Sequence, residues 1–171
     1  ENPQLNAFEK LQQTYTQVDN VNFAFEPLEG LKANAPEVLA AVEELTEMGW
    51  QLPYSIRVDS LSNHQHTEVD KDDLIVRDLY FDALNMEEED KKLVEKVSTS
   101  EPSLAGRVHD TAHRSTSVSV TVQMPGKDPQ ELVDIATASR EMVSNIEEKY
   151  PVKIRMGGVV FLNNAFLEAS M

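Results

Sequence analysis

One arrangement of secondary structure occurs twice along this chain, and it limits the fold more than any other feature. The first copy runs from a strand at Val21–Leu28, through an apolar-periodic helix, to a strand at Tyr54–Leu61. The second copy runs from Ser115–Met124, again through a helix, to Val152–Gly158. Two such βαβ repeats predict an α+β, ferredoxin-like fold, in which an antiparallel-containing sheet carries its helices on one face.

The two long helices are predicted from apolar residues at helical spacing. They cover Pro36–Gly49 and Pro129–Lys149, with Asn34 and Asp128 as the expected N-cap residues. A third helix is expected with Asn85 as its N-terminal cap, because three acidic residues follow in what would be its first turn. Each of the two long helices therefore has an apolar face to lay on the sheet.

The remaining segments are less regular. Pro3–Thr16 has the apolar spacing of an opening helix, and a hairpin is predicted to turn near Asp110–Arg114. Ser62–Leu84 is predicted to be a long excursion with one brief extended segment that packs back onto the body. The closing residues, 159–171, predict a helix with an apolar stripe formed by Phe161, Leu162, Ala165, Phe166 and Ala169.

Composition excludes several classes of function. A chain of 171 residues is long enough for one domain with a sizeable core. Thirty acidic against 15 basic residues give a net charge of −15, which excludes nucleic acid as the expected partner because phosphate binding needs a basic face. The absence of cysteine excludes disulfides, thiolate catalysis and cysteine-ligated zinc.

Four histidines are the candidate metal ligands. His64 and His66 would share one face of a strand, and His109 and His113 would lie on one side of a turn. Four imidazoles suit zinc or copper. We nevertheless predict no metal site, because the first pair lies in an irregular stretch and the second flanks a turn, where polar residues are expected. The acidic runs lack the spacing of calcium loops, and no nucleophile or nucleotide motif occurs, so no catalytic residue and no cofactor are predicted.

Several methionine and aromatic residues could either line an apolar ligand pocket or form part of the hydrophobic core. Methionine adapts to varied apolar ligands, but side chains of this kind are more often core. We therefore favour core for the set, which comprises Phe23, Phe25, Met142, Met156, Phe161, Phe166 and Met171.

Six stretches resemble, in order along nearly the whole chain, a known family of membrane transporters. They are Asp19–Pro27, Pro36–Thr46, Val58–Thr67, Asp72–Leu79, Leu104–Val108 and Gly157–Met171, the last reading GGVVFLNNAFLEASM. Together they are similar to the first large extracytoplasmic loop of exporters of the resistance-nodulation-division (RND) superfamily. The similarity is greatest to the branch that includes MmpL-like and hydrophobe exporters.

The resemblance implies a single periplasmic, porter-type domain over residues 1–171 of a multi-pass inner-membrane protein. Residues 1–16 would continue from a preceding membrane helix, and residues 159–171 would lead to the next one. In this family, protons that pass acidic residues within the membrane helices drive transport. This segment would therefore carry no catalytic residues, and would receive a hydrophobic or lipid-like molecule together with the matching second periplasmic loop domain. The resemblance leaves a homo-oligomer open.

Gly157 and Gly158 are candidate hinge residues within that picture, at the point where the last strand becomes the closing helix. The alternative is that they only form a tight turn. Two other functions also remain open from the sequence. One is a protein-docking or assembly domain without direct substrate contact, and the other is a free-standing α+β enzyme.

Overall fold

A computed structural model describes residues 3–7, 18–71 and 73–170. Residues 3–7 are helical, and the rest of the predicted opening helix lies outside the described residues. The remaining elements are β1 (Asp19–Pro27), α1 (Pro36–Gly49), β2 (Ser55–Asp59), β3 (Gln65–Asp70), β4 (Asp73–Asp78), a short 3-10 helix (Ala83–Asn85), α2 (Glu88–Ser100), β5 (Thr116–Val122), α3 (Gln130–Lys149), β6 (Val152–Gly157) and α4 (Val159–Ser170).

The main sheet has four strands in the order β2-β5-β1-β6, and every neighbouring pair is antiparallel. Phe23 at the centre of β1 lies opposite Val118 of β5 on one side and Met156 of β6 on the other. This arrangement confirms the predicted α+β class with an antiparallel sheet. All four strands fall where alternation of apolar and polar residues predicted them.

The core lies between one face of this sheet and the two long helices. Residues of β1, β5 and β6 that point to this face are buried, as are the facing residues of α1 and α3. Phe23, Phe25 and Met142 belong to this core rather than to a pocket. The two long helices therefore cover the same face, as predicted, and the other face of the sheet carries polar side chains such as Asn22, Ser117 and Ser119.

The excursion at Ser62–Leu84 differs from the prediction. It holds a two-stranded hairpin, in which Val69 of β3 lies opposite Leu74 of β4. Every residue of β4 is exposed, so the apolar group at 74–76 does not pack onto the body. Among the described strands, β3 and β4 pair only with each other, and it is Leu79, Tyr80 and Ala83, beyond the hairpin, that belong to a buried cluster.

Two anchors hold the returning chain after the hairpin. The buried Tyr80 donates its hydroxyl hydrogen to the Leu39 carbonyl oxygen of α1 at 2.9 Å. Glu43, one turn further along α1, accepts hydrogen bonds from the backbone amides of Asp82 and Ala83 at 2.7 and 3.1 Å. The carboxylate thereby satisfies amides at the start of the 3-10 helix, which have no partner within it.

The helix starts are shifted from the expected caps. Ala35 rather than Asn34 is the cap residue of α1, and α2 begins at Glu88 because Asn85 is taken into the 3-10 helix. The closing helix, α4, is confirmed. Among its described side chains the buried ones are Val160 and Asn164, whereas Leu162, Ala165, Phe166 and Ala169 of the predicted stripe are exposed. The expectation that Phe166 belongs to the core is therefore wrong.

Candidate functional site

An open groove of about 650 Å³ lies beside the start of β5, where the loop that precedes the strand folds against β1. Ala24 and Glu26 of β1 and Ser117 of β5 contribute from positions that alternate with the core residues, so they belong to the uncovered face of the sheet. The loop contributes residues 106–110, 114 and 115, and Thr116 lines the groove from the first position of β5. The groove is therefore polar and accessible from solvent.

A pair of histidines supports the loop at this groove. His109 is buried, and its Nε2 lies 2.8 Å from Nδ1 of His113, so one imidazole donates a hydrogen bond to the other. The Nδ1 atom of His109 is buried without a hydrogen-bond partner. His113 has a φ of +57° and its carbonyl oxygen accepts the amide of Ala33, which ties the turn to the chain just before α1.

The protonation of this pair is set by its surroundings. Burial, reinforced by the neighbouring His113, lowers the pKa of His109 to about 4, although the negative charge of Asp110 acts in the opposite direction. His109 is therefore neutral at neutral pH. On the far side of the pair, Nε2 of His113 lies 3.8 Å from Oε1 of Glu95 on α2.

Two arginines, Arg107 and Arg114, and two carboxylates, Glu26 and Asp110, line the groove. Arg114 holds Asp110 with Nε to Oδ2 at 2.6 Å and Nη2 to Oδ1 at 3.2 Å, and these hydrogen bonds hold the pKa of Asp110 far below its usual range. Glu26 is paired in the same way with Arg155 of β6. Arg107 lines the groove without an ion pair to any described residue. Its guanidinium is the charge that remains to meet a carboxylate or phosphate group.

The four predicted histidines do not come together as one ligand set. The turn brings His109 and His113 into contact, whereas His64 lies in the loop before β3, and His66 on β3 faces Glu68 at 3.6 Å. Among the residues that the structure describes, no group of three or more metal-ligating side chains converges. The prediction that the chain binds no metal remains a prediction.

The two candidate hinge glycines differ in their surroundings. Gly158 has a φ of +111°, and a Cβ atom there would lie 2.1 Å from the Asn20 carbonyl oxygen. Gly157 ends β6 with open space around its Cα. Gly158 is therefore required by a close backbone approach, and the hinge role of the pair stays a prediction.

A second, smaller cleft of about 210 Å³ lies where the hairpin rejoins the body. Tyr80 contributes to its floor, and Phe81, Met86 and Arg77 are among its other lining residues. Burial, together with the charge of Glu43, raises the pKa of Tyr80 well above its usual value. Tyr80 therefore acts here as a hydrogen-bond donor that anchors the chain, rather than as a titrating group.

Sequence reasoning missed Arg107 and Glu131. Arg107 has no motif around it, because its role comes from the loop that folds against β1. Glu131 accepts hydrogen bonds from the backbone amides of Gly126, Lys127 and Asp128 at 2.8, 3.1 and 3.3 Å. The spacing of Asp128 and Glu131, which is that of a capping box, was the available signal.

Comparison with known proteins gives no relative. No family model, characterised protein or solved structure significantly matches the chain. Within the described residues, none of the helices has both the length and the apolar character that crossing a bilayer requires. The function must therefore be argued from the fold and the groove.

Proposed function

We propose that this chain is a porter-type domain of a proton-driven RND-type exporter and that it helps to pass an amphiphilic, lipid-like molecule across the periplasm. The observation that carries the proposal is the topology of the main sheet, with its strand order β2-β5-β1-β6 and two helices on one face. The proposal assigns no catalytic residue and no cofactor to this domain.

The topology supports a ferredoxin-like assignment in detail. β1 and β2 are both antiparallel to β5, so they run parallel to each other and are joined by the crossover helix α1. By the same reasoning β5 and β6 are parallel and are joined by α3. Two parallel crossovers that interleave in one antiparallel sheet are the arrangement of the ferredoxin-like fold. The resemblance along the sequence and this topology therefore favour the same family.

The uncovered face of the sheet favours an amphiphile over a wholly apolar substrate. The apolar side chains of the central strands are buried in the core. The opposite face of the sheet carries Asn22, Ser119 and the groove with Arg107. We assign this face to the polar head group, with Arg107 as the partner of a carboxylate or phosphate. The hydrocarbon part would lie against the matching domain of the second loop.

A docking or assembly role is the second candidate. It is favoured by the β3–β4 hairpin, which presents exposed apolar side chains away from the core. In that case the hairpin, rather than the groove, would be the functional surface. The two candidates differ in whether a charge change at Arg107 affects transport.

The test is a transport assay on the full-length protein in proteoliposomes, with a fluorescent fatty acid or lysophospholipid as substrate and an imposed proton gradient. We expect gradient-dependent movement, at least about tenfold slower for Arg107→Glu, because a like charge then faces the head group. Arg140→Glu is the matched control, since it makes the same charge change at an exposed position of α3, which covers the opposite face of the sheet from the groove. A protein that moves no amphiphile under a gradient would contradict the proposal, as would an Arg107→Glu variant that transports normally.

A further inference from the structure

The β3–β4 hairpin has an apolar face and an unpaired edge. Val69 lies opposite Leu74, and Thr67 lies opposite Val76, so these four side chains share one face. Val69, Leu74 and Val76 are 73%, 71% and 58% exposed. Among the described strands, none adds to this two-stranded sheet. A two-stranded hairpin is marginally stable by itself, and exposed apolar strands of this kind mark interaction surfaces.

We propose that the free edge of β4 is an interface between two copies of this chain. The two hairpins would join edge to edge across a two-fold axis into one four-stranded antiparallel sheet, with their apolar faces continuous. Edge-to-edge addition of strands supplies main-chain hydrogen bonds, and the side chains fix the register. This inference is independent of the proposed transport function.

The hairpin geometry limits which registers two copies could adopt. Two residues separate the paired Asp70 and Asp73, and the first of them, Lys71, has the positive φ of a tight hairpin turn. In such a hairpin the residues that flank the turn exchange both main-chain hydrogen bonds, and the pattern alternates along the strands. The N–H and C=O groups of Leu74, Val76 and Asp78 therefore face the free edge.

In one of these registers, the side chains of β4 complement those of β4 in the second copy. When Ile75 lies opposite Ile75 of the second copy, Leu74 meets Val76 and Asp73 meets Arg77, once on each side of the axis. A register centred on Val76 would instead place Leu74 opposite Asp78. A register centred on Leu74 would place Asp73 opposite Ile75. Both apolar and charge complementarity therefore select the register centred on Ile75.

The contacts of Arg77 within one copy leave this pairing available. Its Nη2 atom lies 2.9 Å from Glu68 across the hairpin and 3.9 Å from Asp90 of α2. The other two guanidinium nitrogens would then receive Asp73 of the second copy. This self-complementarity of residues 73–77 is what identifies the partner as a second copy rather than an unrelated protein.

The first test measures the oligomeric state of the 171-residue chain by sedimentation equilibrium from about 1 μM to about 1 mM. We expect a concentration-dependent dimer. Val76→Pro removes an outward-facing N–H without touching the bonds to β3, so it should abolish the dimer while circular dichroism stays unchanged. A chain that is monomeric at every concentration would overturn the proposal, as would a dimer that survives this substitution with its affinity intact.

A charge exchange tests the register. Asp73→Arg would place an arginine opposite Arg77 of the other copy on each side of the two-fold axis. Because these charges repel, we expect the dissociation constant to rise at least about tenfold. Adding Arg77→Asp restores opposite charges, so the double variant should recover most of the wild-type affinity. Asp134→Arg, on the exposed side of α3, makes the same change in net charge and should leave association unchanged. Failure of the double variant to associate better than Asp73→Arg would contradict the register centred on Ile75.

Discussion

At the scale of single residues, Gly158 occupies a position where a neighbouring backbone segment leaves no room for a side chain. An alanine Cβ would overlap the Asn20 carbonyl oxygen, and the φ of +111° is unfavourable for any residue with a side chain. We expect Gly158→Ala to lower the free energy of unfolding by about 1–3 kcal/mol in urea titrations. Gly157→Ala is the matched control, because nothing lies within 4 Å of its added methyl group. Equal losses for the two variants would contradict this account of the turn.

His109 gives a prediction about pH at the same scale. Its folded-state pKa of about 4 lies below the value of about 6.5 expected in the unfolded chain. The unfolded chain therefore takes up a proton first as pH falls. The contribution of His109 to the free energy of unfolding is therefore fully present above about pH 6.5 and is lost as pH falls towards 4. This contribution amounts to about 3 kcal/mol at most.

The measurement compares unfolding free energies at several pH values between 7 and 4. His109→Gln, which cannot titrate, should lose less stability across this interval than the wild-type chain. His64→Gln should keep the wild-type slope, because His64 lies in a loop outside the imidazole pair. If His109→Gln and wild type show parallel pH dependence, burial of the neutral imidazole is not what links pH to stability here.

At the scale of elements, the start of α3 is organised by Glu131 rather than by the expected cap alone. The Asp128 carboxylate does accept a hydrogen bond from the amide of Gln130 at 2.9 Å. The buried Glu131 carboxylate accepts hydrogen bonds from three loop amides. Glu131→Ala leaves those amides without their acceptor, and we expect a loss of about 2–3 kcal/mol in the free energy of unfolding. Glu141→Ala, on an exposed position of the same helix, should change stability little. A similar effect for both variants would mean that the loop amides find water instead.

Local sequence pattern could predict those elements whose own residues alternate against the core. Val21, Phe23 and Phe25 all point to the core, so β1 was predicted within two residues of its observed bounds. The hairpin could not be predicted this way, because Leu74, Ile75 and Val76 are consecutive and all exposed. The groove was missed for a related reason, since Arg107 meets β1 only through the fold of the loop.

At the scale of the whole molecule, the domain consists of a packed body and a hairpin with few contacts to it. The chain leaves and re-enters the body at almost one point, because the amide of Tyr80 lies 3.5 Å from the Ser62 carbonyl oxygen. Hydroxyl groups of Thr46, Ser60 and Ser62 hydrogen-bond to one another on the departing side. Tyr80 and Glu43 hold the returning side. Both ends are thus fixed without the hairpin.

The body should therefore fold without the hairpin. We expect that replacing residues 64–78 by a short Gly-Ser linker changes the free energy of unfolding by no more than about 1 kcal/mol, since loop length alters closure entropy only slowly. Urea unfolding followed by circular dichroism should remain cooperative. Tyr80→Ala in the same background should lose about 3–5 kcal/mol, because it removes a buried aromatic ring from the second core cluster. A linker variant that unfolds without cooperativity would show that the hairpin supports the body, and it would then be a structural element as well as an exposed edge.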